Sequence, residues 1–299
     1  MGECEKFPST SERYQRRFSR VLELIEARSE EPLSLEVLSD AASFSRHHFQ
    51  RQFSAFLGMS ASRYVQFMRM RRASWRLAFR PALSVNDIAL STGYETPEAF
   101  ARAFRQFTGQ SPSAFRELPD WPEWHSRFRP FIHLRRTAMN IEAPPRRVRV
   151  VHFPATRVGM LEHRGDVVRL GESIRRFIEW RKANGLHPRV SATFNIAWHD
   201  PDQTPPDEFR FGLCAATEAP IAPNPAGVRE MTIPAGRCAL LRHHGSDDQL
   251  GESIRHLYAD WLPASGEETR DFPLFMQRVK FFPDVPDSEA VTDLYLPLS

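Results

Sequence analysis

The sequence has few cysteines and no long apolar run. Only three of its 299 residues are cysteines, Cys4, Cys214 and Cys238, and they are too widely spaced to form a CxxC pair. An odd number of scattered cysteines argues against a disulfide framework and predicts a reduced, cytoplasmic compartment. No apolar stretch reaches the roughly 18 residues of a membrane span, so we expect no membrane partner.

Motifs for catalysis, metal binding and phosphate binding are also missing. The sequence contains no glycine-rich phosphate loop, no tetrahedral zinc spacing and no recognisable Ser-His-Asp arrangement. The repeated Glu172 and Glu252 are each expected in the first turn of a helix, where a carboxylate complements the helix dipole. His163 and His243 end predicted strands and are interpreted as structural residues. These absences predict that the chain is not an enzyme and needs no metal and no cofactor.

Charge is unevenly distributed along the chain. Residues 1–147 carry 23 Lys and Arg against 16 Asp and Glu, whereas the remainder carries 17 against 21. A basic half beside a mildly acidic half favours a polyanionic partner for the first half alone. Ordinary surface charge is the alternative explanation.

The chain also duplicates itself twice, with two different periods. Between about residues 34 and 116 the period is 51, so that the run 49–53 (FQRQF) returns as 100–104 (FARAF). Between about residues 149 and 261 the period is 80, and residues 170–175 and 250–255 share the sequence LGESIR. Internal repeats define architecture, and these predict two domains, each a fused pair of similar units.

The first repeat has the pattern of tandem helix-turn-helix motifs. An amphipathic helix is predicted over 13–28, and Ser34, Ser45, Ser84 and Thr96 are predicted to cap short helices. In each motif the phenylalanines face inward, while basic and amide side chains face outward. The connecting segment, about 19 residues from Ser62 to Arg80, would span roughly 28 Å as a helix, close to the ~34 Å of one duplex turn.

At this point the residues resemble the AraC/XylS family of bacterial transcription regulators. The resemblance covers about 14–117 and rests on Asp87-Ile88-Ala89, Gly93-Tyr94, Phe107, Gly109 and Ser111-Pro112. It implies double-stranded DNA as the partner, read in two adjacent major grooves. Because the arginines of the connecting helix cannot all be buried, some of them are expected to contact phosphate. The alternative for Glu98 is an ion pair with Arg102. The implied base-reading residues are His47, Gln50, Arg51, Glu98, Ala99 and Arg102, with Arg46 and Arg105 beside them.

The second half is predicted to be an α+β domain built from two βαββ units. Strands are expected at 148–153, 157–163, 192–198 and 209–216 in the first unit, and at 229–233, 237–243, 274–282 and 291–296 in the second. In each unit a Pro-Ala turn is expected to join the first strand pair, and the strands are expected to form two antiparallel sheets. Before this domain, residues 118–147 are rich in proline and aromatics and are interpreted as a linker that packs on a domain.

Residues 147–298 resemble the GyrI-like effector-binding domains. The resemblance rests on Trp198-His199-Asp200-Pro201, Thr204-Pro205-Pro206 and the run 292–298 (TDLYLPL). It implies a small-molecule cavity between the two halves. Met276 stands where the family has an acid, and Arg278 stands where it has a tyrosine, which favours a largely apolar, neutral or anionic ligand. The candidate ligand-binding residues are Phe194, Trp198, Tyr258, Trp261, Phe275, Met276 and Arg278.

The sequence therefore predicts a multi-domain chain and a function for each part. Residues 1–117 form an all-α tandem helix-turn-helix domain, 118–147 the linker, and 148–299 a duplicated βαββ, GyrI-like domain. The predicted function is a sequence-specific DNA-binding transcription regulator that senses a small ligand, with RNA polymerase as a further candidate partner. The alternatives are a GyrI-like hydrolase or a protein-interaction module fused to a DNA-binding domain, or side chains that fill the cavity.

Overall fold

The computed structural model describes residues 10–139 and 146–299. The chain divides into two compact units: Met1–Pro144 with Pro286–Ser288, and Pro145–Val285 with Glu289–Ser299. In the described part of the chain, no helix combines the length and the apolar character needed to cross a membrane. The first unit is helical and the second contains the sheet, so the predicted multi-domain fold class is confirmed.

The described part of the first unit contains eight α-helices. Two short-helix pairs, α2–α3 and α5–α6, flank the long helix α4, as the 51-residue repeat predicts. Phe49, Phe53, Phe100 and Phe104 are fully buried, which confirms their prediction as core residues. The helices are α1 (Thr10–Arg28), α2 (Leu35–Ala41), α3 (Arg46–Leu57), α4 (Ala61–Phe79), α5 (Val85–Ser91), α6 (Pro97–Thr108), α7 (Pro112–Glu117) and α8 (Trp121–Met139).

The helix ends follow the capping residues in the sequence. The Ser34 and Thr96 hydroxyls accept hydrogen bonds from backbone N–H groups at the starts of α2 and α6. Ser84 and Asp87 form a reciprocal capping box at the start of α5. Gly58 and Gly109 close α3 and α6 in the left-handed conformation. Ser45 stands at the predicted N-cap of α3, but its side chain makes no capping hydrogen bond, which corrects that prediction.

The segment expected to be a linker holds helix α8, and the first compact unit extends to Pro144. Trp124 and Phe128 are almost fully buried against the helical core. The Arg135 guanidinium donates to the Glu26 carboxylate of α1, with Nη2 2.7 Å from Oε2, and the Tyr64 hydroxyl donates to the same carboxylate at 3.2 Å. The buried aromatics and this ion pair hold α8 on the helical unit despite Pro130 inside the helix.

The second unit is built on eight strands with helices on one face. Helix α9 (Leu170–Ala183) belongs to the first copy. In the second copy α10 (Leu250–Arg255) continues through a π-helical stretch, His256–Trp261, into α11 (Leu262–Ser265). The strands are β1 (Val148–Phe153), β2 (Thr156–Arg164), β3 (Thr193–Ala197), β4 (Arg210–Ala216), β5 (Arg229–Ile233), β6 (Gly236–His244), β7 (Phe275–Lys280) and β8 (Val291–Pro297).

Two predictions for this unit are wrong: that its strands form two sheets, and that the first two strands of each copy pair across a Pro-Ala turn. All eight strands form one antiparallel sheet in the order β1-β6-β8-β7-β3-β4-β2-β5. Strands β1 and β2 do not pair with each other, because β1 pairs with β6 and β2 pairs with β5. A two-residue hairpin loop needs a positive φ at its first residue, and Pro154 and Pro234 cannot adopt one. Each copy therefore exchanges its first strand with the other copy.

The sheet is strongly curled. Strands β1 and β3 lie four places apart in the strand order, which would separate them by about 19 Å in a flat sheet. The rings of Phe153 on β1 and Phe194 on β3 nevertheless have centroids only 5.9 Å apart. The inner face of the curl thus encloses its own aromatic core, and the helices cover the outer face.

Candidate DNA-binding surface and effector site

Helix α3 presents a polar face opposite its buried phenylalanines. His47, Gln50 and Arg51 stand at positions i, i+3 and i+4 of this helix, and all three are exposed. Arg46 is exposed at the start of the helix and forms an ion pair with Glu36 of α2. The structure therefore brings the three predicted base-reading residues of the first motif together on one accessible face, with hydrogen-bonding groups suited to base edges.

Helix α6 presents the matching face of the second motif. Glu98, Arg102 and Arg105 are exposed, and Ala99 is partly buried near the helix start. The alternative in which Glu98 pairs with Arg102 does not occur: among the described residues, no ion pair joins them. Arg102 therefore keeps an exposed guanidinium on this face.

Several arginines of helix α4 bind groups within the first unit. Contacts with phosphate, which the sequence predicts for some of them, stay a prediction. Arg76 forms an ion pair with Glu30 and donates to the Ser91 hydroxyl at 2.9 Å, and Arg72 lies 3.2 Å from the same Glu30 carboxylate. Arg69 donates to two backbone carbonyls of the turn after α1, at 2.6 and 3.0 Å. These contacts join α4 to the turn that precedes the first motif and to α5 of the second motif.

The predicted ligand-binding residues do not lie on one surface. Successive side chains of a strand point to opposite faces, so the neighbours Phe275 and Met276 belong to different clusters. Phe194 and Phe275 are buried in the aromatic core of the inner face, with Trp198 packed against it. Met276 is 4% exposed and packs with Leu257 and Trp261 under the second-copy helices, while Tyr258 on that helical segment is 43% exposed.

Arg278 lies on the helix-bearing face beside the line where the two copies meet. Its guanidinium pairs with the Asp247 carboxylate, with Nη2 2.8 Å from Oδ2, and Nε donates to Asn195 Oδ1 at 2.9 Å. Nη1 also lies 3.2 Å from the Thr292 hydroxyl. The Asn195 amide donates to the Gly212 carbonyl, so its polar atoms are satisfied inside the protein. The charge expected to attract a ligand is therefore already neutralised by Asp247.

A cleft that sequence reasoning missed lies on another side of the same unit. It has a volume of about 680 Å³ and lies between helix α9 and the loop 217–228. The loop contains three prolines and connects the two copies in sequence, and its alternation of proline with apolar residues is a signal that could have marked it. None of the predicted ligand-binding residues lines this cleft.

The repeated histidines and glutamates take equivalent positions in the two copies. His163 and His243 each place Nδ1 2.9 Å from a serine hydroxyl in the following helix, Ser173 and Ser253 respectively. Glu172 and Glu252 lie in the first turns of α9 and α10. Within the described ranges, no group of three or more His, Cys, Asp or Glu side chains could hold a metal ion.

Residues 146–299 match the family model described as the GyrI-like small molecule binding domain. The chain belongs to the GyrI-like family. Residues 38–118 match a helix-turn-helix domain model, which is of the AraC type. The chain is thus a DNA-binding transcriptional regulator that carries a GyrI-like domain, as the sequence predicts.

Among its relatives, the chain is 38% identical over 153 residues to the probable transcriptional regulator YgiV of Escherichia coli K12, covering 51% of this chain and 96% of that protein. It is 32% identical over 99 residues to the right origin-binding protein of the same strain, covering 32% of this chain and 33% of that protein. The crystal structure of the EcmrR C-terminal domain aligns with a TM-score of 0.43 and 18% identity, covering 52% of this chain and 99% of that chain.

Proposed function

We propose that one copy of this chain reads two adjacent major grooves on one face of duplex DNA. The outward faces of α3 and α6 carry the contacts: His47, Gln50 and Arg51 in one groove, and Glu98, Ala99 and Arg102 in the next. Arg46 and Arg105 contact the flanking backbone. The observation that carries the proposal is helix α4, whose 19 residues span roughly 28 Å, close to the ~34 Å of one duplex turn.

The contacts of the α4 arginines support reading by a monomer. Arg69, Arg72 and Arg76 are held by groups from the turn that precedes the first motif and from α5 of the second motif. These contacts favour one spacing of the two half-sites, since another spacing would require α4 to shift against its neighbours. The sites that the chain selects are therefore asymmetric and of fixed length.

The second domain supplies the regulatory input. We infer that it binds a small, largely apolar ligand that is neutral or anionic, and that this ligand binds the DNA-competent and incompetent states with different affinities. Met276, at the position of the family's acid, is apolar and buried, which supports a sensor in preference to a hydrolase that depends on that acid. RNA polymerase is a further candidate partner once the protein is on its site.

Selection from a random duplex pool tests this proposal. The full-length chain is incubated with the pool at increasing salt concentration, and bound sequences are determined. We expect an asymmetric motif with two elements about one helical turn apart. Weak, salt-sensitive binding without a motif would overturn the proposal, because phosphate contacts alone confer affinity without sequence preference.

A further inference from the structure

A short segment from the second half of the sequence belongs to the helical unit. Residues Pro286–Ser288 group with Met1–Pro144 in the first compact unit, although the residues on both sides of this segment belong to the second unit. The segment lies in the connection between strands β7 and β8, and a short 3-10 turn begins at Asp287. The helical unit is therefore completed by residues that follow its helix α8 far along the chain.

Asp287 enters the core of this unit as a buried charge. It is 3% exposed, and its carboxylate accepts a hydrogen bond from Nη1 of Arg71, which is 5% exposed. Glu26 and Arg135 form a second buried ion pair in the same core. Burial disfavours the charge of Arg135, but the carboxylates of Glu26 and Asp287 together raise its pKa well above the ordinary value. Two buried cations are thus balanced by two buried anions, and one of these anions is Asp287.

Arg71 lies near the middle of α4, on the face that packs against α8. Phe67, one turn before it, stacks on Phe131 of α8 with ring centroids 4.5 Å apart. Trp75, one turn after it, has its ring centroid 5.9 Å from that of Trp121. Residues four apart share one face of a helix, so Arg71 receives the Asp287 carboxylate between two aromatic contacts of α4 with α8.

Helix α4 separates the two motifs, because α2 and α3 precede it and α5 and α6 follow it. Apolar contacts are non-directional, whereas a charge-assisted hydrogen bond has a defined length and direction. A buried ion pair adds little net stability compared with apolar packing, and its best-attested use is to specify one register of the elements that it joins. The pair of Arg71 and Asp287 therefore restricts sliding and rotation of α4 within the unit.

We infer that Asp287 is a positioning residue of the DNA-reading unit: by holding Arg71, it sets the spacing at which α3 and α6 reach two adjacent major grooves. Asp287 acts through α4 and not by contact with DNA, since its side chain is buried. The inference rests on the proposed function and adds a residue from the C-terminal half of the sequence to the DNA reader. A chain that ended before residue 286 would lack this part of the reader.

The full-length Asp287→Asn variant tests the inference. Its binding is compared with that of the wild type on the selected duplex and on two duplexes whose elements lie one base pair closer together or further apart. We expect the preference for the selected spacing to fall about tenfold, because the buried Arg71 guanidinium no longer has this carboxylate to hold it in register. Glu289→Gln removes a negative charge at an exposed position of the same turn and is the matched control.

A double variant separates positioning from folding. Arg71→Met combined with Asp287→Leu replaces the ion pair by apolar side chains, a change that often preserves stability where the loss of one charge does not. We expect its urea midpoint to lie close to that of the wild type, while its preference for the selected spacing stays reduced. A merely structural role of the pair would restore stability and spacing preference together.

Three outcomes would overturn the inference alone: an unchanged spacing preference in Asp287→Asn, full recovery of that preference in the double variant, or an equal loss in Glu289→Gln. If Asp287→Asn does not fold, the double variant decides. A wild type that selects no motif of two spaced elements would instead overturn the proposed function, and this inference with it.

Discussion

The guanidinium of Arg69 lies directly over Gly93, so that a Cβ at position 93 would be 2.9 Å from Nη1. Gly93 forms the turn of the second helix-turn-helix motif with φ +77°, and Arg69 is held by carbonyls of the turn after α1. One side chain of the connecting helix thus touches the turn of one motif and the segment that precedes the other.

Gly93→Ala should therefore lower the free energy of unfolding by more than the strain of a left-handed alanine alone. Gly58→Ala is a matched control, because Gly58 has φ +75° but a Cβ there would meet nothing within 4 Å. A left-handed alanine costs about 1–2 kcal/mol, and crowding Arg69 is expected to add ~1–3 kcal/mol for Gly93→Ala. Urea unfolding of both variants measures the difference, which should shrink in an Arg69→Ala background. An equal loss of stability in the two variants would show that the Arg69 side chain moves away from position 93 without a measurable free-energy cost.

Arg51 is expected to read one base pair. It is exposed on the polar face of α3, and a guanidinium there can donate two hydrogen bonds to guanine. Arg51→Ala should weaken binding to the selected duplex by about 1–3 kcal/mol and relax the preference at a single position. Competition binding against single-base variants of the duplex measures both effects, with Arg189→Ala as the control. A uniform loss on every sequence would instead mean that Arg51 contacts only phosphate.

Stability of the GyrI-like domain should fall in mild acid because of His243. Burial lowers the pKa of His243 below its ordinary value. The unfolded chain, with a histidine pKa of about 6.5, then binds more protons than the folded chain at lower pH. The contribution of neutral His243 to the stability of the domain is thus complete above pH ~6.5 and is lost as the pH falls below that value.

Urea midpoints of the wild type at about pH 7.5 and 5.5 measure this effect. His243→Gln should show a smaller drop between the two pH values, although it is less stable at both because it changes the contact with Ser253. His187→Gln, at an exposed position, should keep the full drop. An unchanged drop in His243→Gln would assign the acid sensitivity to other groups.

Met276→Glu should destabilise the protein without creating a cation site. Met276 is 4% exposed among Leu257, Leu294 and other apolar residues, and burying an unpaired carboxylate there is expected to cost about 3 kcal/mol or more. Met276→Leu, which conserves volume, should cost less than ~1.5 kcal/mol. Thermal unfolding and titration with decyltrimethylammonium measure the two properties. Unchanged stability with a raised affinity for the cation would show that position 276 lines an open cavity.

The helix ends could be predicted from the sequence because they depend on residues only a few positions apart. Ser84, Asp87 and Thr96 cap helices through hydrogen bonds to backbone groups three residues away, and Gly58 and Gly109 end helices through their own φ angles. The exposed face of α3 follows from helical spacing alone. By itself the sequence thus determined the two domains, the helix-turn-helix motifs and the strand positions.

What only the tertiary structure decided depends on partners distant in sequence. The exchange of β1 and β5 between copies, the pairing of Arg76 with Glu30 and the burial of Phe275 and Met276 on opposite faces all need the assembled sheet or helical core. The sequence did not predict helix α8, because its prolines favour a break in the helix. The buried contacts of Trp124 and Arg135 outweigh this tendency in the folded protein. The periodicity of the sequence predicts which side chains face the core, whereas tertiary packing determines which residues they contact there.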